Sequence, residues 1–436
     1  MSAELVSILV LIVVFVIAIT RSINMGAVAF AAAFSVGTLV GDFDTKAILA
    51  GFPSELFVVL VGVTFLFAIA RANGTIDWLV HGAIRLVGGR VVLVPWIMFA
   101  VTGALTAIGA VSPAAVAIVA PIALSFAARS QISPLLMGAM VIHGAQAGGF
   151  SPISVYGTVV NSVVTREGLP GNEFTIFIAS LIINLAIAVI VFVMCGGPKL
   201  AKAKTVQYAT AGVAPDRNPG VRDQSTGSAG DSTEPSMPPQ LTRPVMATVA
   251  SILVLVACAL ILDLDVGLTA ITLAVLLSIA WPTSAKEAVA HVTWPTVLLI
   301  CGVLTYIGVL QTLGTIDYAG NAVTGIGVPL LAALVLCYIG AIVSAFASSV
   351  GVLGALIPLA VPFLLAGSID PVQMVAALAV AATVVDVSPF STNGALVLAN
   401  AQNVDRDAFF RQLMIYGAIV VAAAPAAVWL VMILPT

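Results

Sequence analysis

The chain has 436 residues, of which 61% are hydrophobic and only 8% charged, with a formal net charge of −3. Soluble domains carry about 25% charged residues, so this composition excludes a soluble globular protein and offers no basic face for nucleic acid. What remains is an all-α polytopic membrane protein, because the short alternating segments of a β-barrel are absent.

In chain order, apolar crossings are predicted near 5–20, 24–40, 56–71, 134–164 and 173–195. Each approaches the roughly 20 residues that span a hydrocarbon core. The first follows a start with no Lys or Arg and no small-residue cleavage pattern, so it is read as a retained span rather than a signal peptide. An amphipathic stretch, Ile76 to Val87, is placed at the interface. The apolar segment 93–128 is broken at Gly109-Ala110-Val111-Ser112-Pro113 and is read as a re-entrant hairpin. Residues 198–243 form a linker rich in Pro, Gly, Ser, Asp and Thr, which cannot bury a core and is expected to be disordered. Crossings then recur near 244–262, 267–281, 295–313, 373–399 and 413–434, with a matching hairpin at 329–366 whose tip holds Ser348-Ser349-Val350-Gly351.

The two halves also repeat in residue detail. Gly74-Thr75-Ile76-Asp77 returns as Gly314-Thr315-Ile316-Asp317. Ser112, Pro121, Pro134, Ser151, Pro152, Ser154 and Gly157 return 237 positions later as Ser349, Pro358, Pro371, Ser388, Pro389, Ser391 and Gly394. Five crossings per half is odd, so the halves, 1–197 and 244–436, are predicted to be inverted repeats, each of five transmembrane helices (one broken) plus a hairpin. A cytoplasmic linker places 14 of the 16 Lys and Arg on the cytoplasmic side, leaving only Lys46 and Arg166 outside. This is the positive-inside bias, and it puts both termini outside.

The strongest polar clusters interrupt the fourth crossing of each half: Gly148-Gly149-Phe150-Ser151-Pro152-Ile153-Ser154-Val155-Tyr156-Gly157-Thr158 and Asp386-Val387-Ser388-Pro389-Phe390-Ser391-Thr392-Asn393-Gly394. Proline in mid-helix removes a hydrogen bond and opens backbone groups, which protein, water, ions or substrate must satisfy. Candidate substrate ligands are Ser112, Ser151, Ser154 and Thr158 from one half and Ser349, Ser388, Ser391, Thr392 and Asn393 from the other. Candidate cation ligands are Ser112, Gly149, Ser348, Asp386 and Asn393. The alternative for the hydroxyls is a bond back to their own turn, and for the glycines close helix packing. Asp386 is expensive at this depth unless paired, protonated or cation-bound, so it is read as a coupling site or a structural hydrogen bond. Its repeat equivalent is Gly149. His143, one turn before Gln146, is either a neutral core histidine or a proton site. Asp77 and Asp317 start or cap the interfacial stretches, and the four cysteines are small core residues. There is no Walker loop, nucleotide fingerprint or zinc spacing, so no enzymatic activity and no cofactor are expected. Transport must then run on a gradient or be passive.

Through Gly51-Phe52-Pro53, the His143-to-Asn161 segment and the Ser388-to-Gly394 break, the chain resembles the dicarboxylate carriers of the bacterial malonate carrier (MatC) type. That family sits in the ion-transporter group that includes the divalent anion:Na⁺ symporters. The resemblance implies inverted repeats, an elevator movement, a homodimer, and a dicarboxylate with Na⁺ held between hairpin tips and helix breaks. The symporters carry Ser-Asn-Thr at both tips. Here the tips read Ser112-Pro113-Ala114 and Ser349-Val350-Gly351, so only the serine is shared. The expected function is a secondary transporter of malonate, succinate or malate, coupled to Na⁺, in a cell inner membrane. The rivals are an H⁺-coupled carrier of another anion and a passive channel.

Overall fold

The computed structural model describes residues 2–21, 23–86, 90–202, 241–262, 264–316, 318, 328–345, 349–365, 369–401 and 404–435. The sequence reading of Ser348, of Asp317 and of most of the linker lies outside these residues.

All regular structure among the described residues is helical. The first half runs α1 (Ala3–Arg21), α2 (Met25–Leu39), α3 (Thr45–Leu49), α4 (Ser54–Ala72), α5 (Thr75–Leu86), α6 (Val94–Ala107), α7 (Ser112–Arg129), α8 (Pro134–Gly148), α9 (Val155–Arg166), α10 (Glu173–Met194) and α11 (Gly197–Lys202). The second runs α12 (Arg243–Ile261), α13 (Val266–Ala280), α14 (Pro282–Ala288), α15 (Trp294–Thr312), α16 (Pro329–Ser344), α17 (Ser349–Leu365), α18 (Pro371–Val384), α19 (Thr392–Asn400) and α20 (Arg406–Met432). Six helices, α4, α7, α10, α12, α15 and α20, are long and apolar enough to cross a membrane. One of them, α7, is the second arm of the first hairpin.

The elements start where the chain offers caps. Asn24 caps α2 by accepting from the Gly26 and Ala27 N–H groups, at 2.9 and 3.3 Å. Asp265, at the matching place before α13, accepts from Leu268 at 2.7 Å. Ser133 and Asp370 cap α8 and α18, each ahead of a proline in the first turn. These side chains satisfy N–H groups that a helix start leaves open. Asp405 likewise caps α20, so the last helix begins at Arg406 rather than near 413, with Phe409 already buried. Before α5 it is Asn73 that accepts from the Thr75 N–H, at 3.1 Å. Asp77 lies in the first turn and is not the cap.

Packing follows the repeat. Within each half the outer hairpin arm rests on the first segment of the broken helix, α6 on α8 and α16 on α18. Between halves, α2 packs on α15 as α13 packs on α4. Both of these crossings are closed by glycine pairs: a Cβ on Gly302 would land on the Gly26 carbonyl, and one on Gly62 on the Gly267 carbonyl. Small residues there let the backbones touch, which is how helices associate in lipid. Likewise α7 packs on α19 as α9 packs on α17, and α10 on α18 as α20 on α8. The faces left over are apolar. Leu9, Ile12 and Val16 of α1, and Ile182, Val189 and Val193 of α10, are exposed as a lipid-facing surface requires.

Candidate functional site

The two helix breaks have the same local construction. Ser154 and Ser391 stand before α9 and α19 with φ/ψ of −80/157° and −78/159°. Their hydroxyls accept from the N–H of Gly157 and Gly394, at 3.1 and 3.2 Å. Each donates to the carbonyl three residues back, Ser151 and Ser388, both at 2.7 Å. A Cβ on Gly157 or Gly394 would collide with that same carbonyl, so glycine is needed at both positions. Ser151 and Ser388 in turn donate to the carbonyls of Ala107 and Ala345, at the ends of the first hairpin arms. Four of the serines read from sequence as substrate ligands therefore spend their hydrogens on backbone. They fix the shape of the breaks and tie each to its hairpin, and none of them lines either of the two cavities described below.

A cavity of about 350 Å³ lies where the hairpin tips and breaks converge. Val111 and Pro113 line it from one tip, Ser349 and Val350 from the other, Tyr156 from the first break, and Asp386, Phe390 and Thr392 from the second. Asn24 and Met25 at the start of α2, Pro295 and Thr296 at the start of α15, and the apolar Ala18, Ile23 and Leu299 form the remaining wall. The starts of α2, α7, α9, α15, α17 and α19 thus all border one space. Each helix start carries about +0.5 of an elementary charge from its aligned peptide dipoles. Those of α7 and α15 have no side-chain cap. Among the described residues no Lys or Arg lines the cavity, and Asp386 is the one carboxylate in its wall.

Behind the wall lies a small polar cluster. Asn393 donates through Nδ2 to Asp386 Oδ2 at 2.8 Å and to Ser112 Oγ at 2.9 Å, joining the second break to the first hairpin tip. Its own Oδ1 is buried and has no partner among the described residues. Tyr156 is buried and lines the same cavity as Asp386. Ser349 accepts from Ser344 at 2.9 Å. The structure thus brings Ser112, Ser349, Asp386, Thr392 and Asn393 together.

Thr158 is elsewhere. It lines a larger cavity, of about 870 Å³, with Asn161, Ser162, Thr165 and Arg166 of α9 and with Glu55, Glu173 and Asp265. Thr158, Asn161, Ser162, Thr165 and Arg166 form one polar stripe of α9, whose Val159, Val160 and Val164 are buried on the other side. At its mouth Arg166 donates to the Gly51 carbonyl at 3.2 Å and to Gln311 at 3.3 Å. The Gln311 amide donates in turn to both Glu167 oxygens, at 2.6 and 2.7 Å. Pro295, Thr296 and Leu299 of α15 line the smaller cavity, and Leu304, further along the same helix, lines the larger.

His143 is fully buried between Asn184 Oδ1 on Nδ1 (2.8 Å) and the Tyr416 hydroxyl on Nε2 (2.5 Å). Asn184 Nδ2 donates to the Ser180 carbonyl at 2.9 Å, which fixes Oδ1 toward the imidazole. Both ring nitrogens are thus partnered inside the protein, as a neutral Nδ1–H tautomer requires. Among the described residues no group of three or more His, Cys, Asp or Glu side chains is placed to hold a metal ion. All four cysteines are free, two of them buried.

Sequence reasoning left Tyr156, Asn24 and Thr296 unassigned. Tyr156 stood inside a quoted motif and carried the signal of a polar residue one position into a broken helix. Asn24 and Thr296 come from helices that read as plain spans, and only the fold brings their ends to the cavity.

Comparisons with known proteins agree with this architecture. Residues 1–149 match the family described as the dicarboxylate carrier protein MatC N-terminus. Among solved structures, the YdaH transporter of Alcanivorax borkumensis, reported for an unusual topology, is similar with a TM-score of 0.58 at 15% identity, over 99% of this chain and 98% of that one. In all, 23 solved chains match. No curated protein sequence matches. The chain is a multi-pass membrane protein with a transporter's fold, and both resemblances are to transport proteins rather than enzymes.

Proposed function

We propose that the protein is a secondary active transporter of small dicarboxylates of the malonate, succinate or malate type, working by cation-coupled symport. The carrying observation is the convergence of six helix starts, two hairpin tips and two helix breaks on one cavity with no basic side chain among the described residues. Helix starts are anion sites. A dianion there would be met by peptide dipoles and by the Ser349 and Thr392 hydroxyls, with Ser112 and Asn393 behind them. Ser151, Ser154, Ser388 and Ser391 act at one remove, by holding the breaks in shape, and Thr158 meets the solute from the larger cavity. A coupling cation at Asp386 would offset the carboxylate that otherwise repels the substrate. Na⁺ is the favoured ion.

The match of the N-terminal third to a dicarboxylate carrier family supports the substrate class. The reading includes two inverted repeats, 1–197 and 244–436, with re-entrant hairpins and an elevator-like movement of hairpins and broken helices against α2, α4, α13 and α15. It places the linker in the cytoplasm, both termini outside, and the protein in a cell inner membrane as a homodimer. The test is dicarboxylate binding by purified protein, with a panel of acids as competitors. The double variant Ser349→Ala/Thr392→Ala is expected to bind at least tenfold more weakly. Wild-type affinity in that variant would move the substrate elsewhere, and preferential binding of citrate or an inorganic oxyanion would replace the substrate class.

A further inference from the structure

Resting on the transport reading, we infer that the solute meets two different walls in turn. One is the neutral wall that closes the smaller cavity. The other is its acidic counterpart, carrying Glu55 and Asp265, which borders the larger cavity. These two carboxylates weaken the hold on a dianion from that face. They are specificity-determining residues that lie outside the hairpin tips and helix breaks.

The two cavities repeat each other in the walls made by α2, α4, α13 and α15. Asn24 and Met25 of the smaller correspond to Asp265 and Val266 of the larger, at the offset of 241 that relates Gly26 to Gly267. Pro295, Thr296 and Leu299 correspond to Glu55, Leu56 and Val59, at the offset of 240 that relates Gly314 to Gly74. The contacts repeat as well. A Cβ on Gly26 would strike the Leu299 backbone, and one on Gly267 the Val59 backbone. Asn24 and Asp265 each cap the helix that follows, α2 and α13. The chemistry does not repeat. One wall offers an amide, a proline ring and a hydroxyl, and the other two carboxylates and a leucine. Among the described residues, Arg166 is the one basic group of the larger cavity, against Glu55, Glu173 and Asp265, and it is bonded to the Gly51 carbonyl and Gln311.

The hairpins use one wall and not the other. Val111, Pro113, Ser349 and Val350 border the smaller cavity, and among the described residues no tip residue borders the larger. The second tip is seated on its wall, since a Cβ on Gly351 would strike the Met25 methyl and then meet Leu299. The first tip rests beyond Val59. A Cβ on Gly109 would strike Val63, about one turn further along α4. The residue of the first tip equivalent to Gly351 is Ala114, and the wall residue equivalent to Met25 is Val266. A methyl gained on the tip thus faces a shorter side chain on the wall. The first tip is shaped for the second wall as the second tip is for the first. Inverted repeats exchange such contacts when access alternates. In the exchanged state Asp265, Glu55 and Leu56 stand where Asn24, Pro295 and Thr296 stand now, and a dianion is repelled.

A cross-link and a kinetic measurement test this. In a chain whose four cysteines are replaced, Ala114→Cys/Val266→Cys should be bridged by Hg²⁺, and the bridge should arrest dicarboxylate uptake. KM is then read separately from each face, in right-side-out and inside-out vesicles. Glu55→Gln/Asp265→Asn keeps the α13 cap, because Asn caps a helix as well as Asp does. Its KM should fall by about tenfold on the face bordered by residues 55 and 265, the order expected of two carboxylates ~10 Å from a dianion in water. On the other face KM should keep its wild-type value. An unchanged KM on the first face, or an equal fall on both, overturns the inference. So does a cysteine pair that is never bridged in folded protein, or one that is bridged while uptake continues. A bridged pair in a protein that takes up no dicarboxylate sustains the exchange of walls and removes the proposed substrate.

Discussion

Replacing His143 separates a structural histidine from a proton carrier. The imidazole is fully buried, holds Asn184 at 2.8 Å and Tyr416 at 2.5 Å, and stands edge-on to the Tyr416 ring at 6.1 Å between centroids. It joins α8 to α10 of its own half and to α20 of the other. His143→Ala strands two buried polar groups, Asn184 Oδ1 and the Tyr416 hydroxyl. Each unsatisfied group costs about 1–3 kcal/mol, and the cavity adds further loss, for a total of roughly 3–6 kcal/mol. His143→Gln can restore one bond and should recover about half of that. Thermal unfolding in detergent reads the cost, with His143→Ala expected to melt many degrees lower and His143→Gln between it and wild type. Transport by folded His143→Gln protein should keep its dependence on the driving ion. A variant with wild-type melting but abolished pH-gradient-driven uptake would refute the structural assignment and make His143 a proton site.

Three further outcomes follow from the geometry. Asp386→Asn keeps an acceptor for Asn393 but removes the charge. Unit charges about 4 Å apart interact by roughly 4 kcal/mol at an effective dielectric of 20, so half-saturating cation in uptake assays should rise by about two to three orders of magnitude. Gly394→Ala drives a Cβ into the Ser388 carbonyl and should cost about 1–3 kcal/mol, the range for overpacking, together with most transport activity, as measured by melting and uptake. Gly302→Val forces α15 off the Gly26 backbone of α2, and greatly reduced yield of folded protein by fluorescence-detected size exclusion is the expected result.

Much of the fold was legible because lipid allows few solutions. Apolar runs of span length, the prolines at 152 and 389 and the glycines beside them place the helices and their breaks. The tips at Ser112 and Ser349 were equally readable, since each is a polar break in an apolar run, and each begins a helix. The roles of individual hydroxyls were not. Ser154 and Ser391 look the same in sequence whether they meet substrate or cap a helix, and the structure gives them to capping. Their neighbours Ser151 and Ser388 are used by carbonyls 44 and 43 residues away, a pairing that no local pattern encodes. Asn24 illustrates the same limit from the other side. It caps α2, and its Nδ2 also donates to the Pro295 carbonyl at 2.8 Å, a contact between halves that carries it to the cavity wall. Asp386 was conspicuous because a carboxylate is rare at that depth. Its link to Ser112 through Asn393 depended on α7 packing on α19, which only the assembled halves provide.

The most direct test of the central claim is uptake of radiolabelled malonate and succinate into proteoliposomes under an imposed Na⁺ gradient, with an imposed pH gradient as the parallel arm. Saturable uptake accelerated by inward Na⁺, and abolished by Asp386→Asn, is the result expected of a cation-coupled dicarboxylate transporter. Absence of uptake of either acid under both gradients would contradict it.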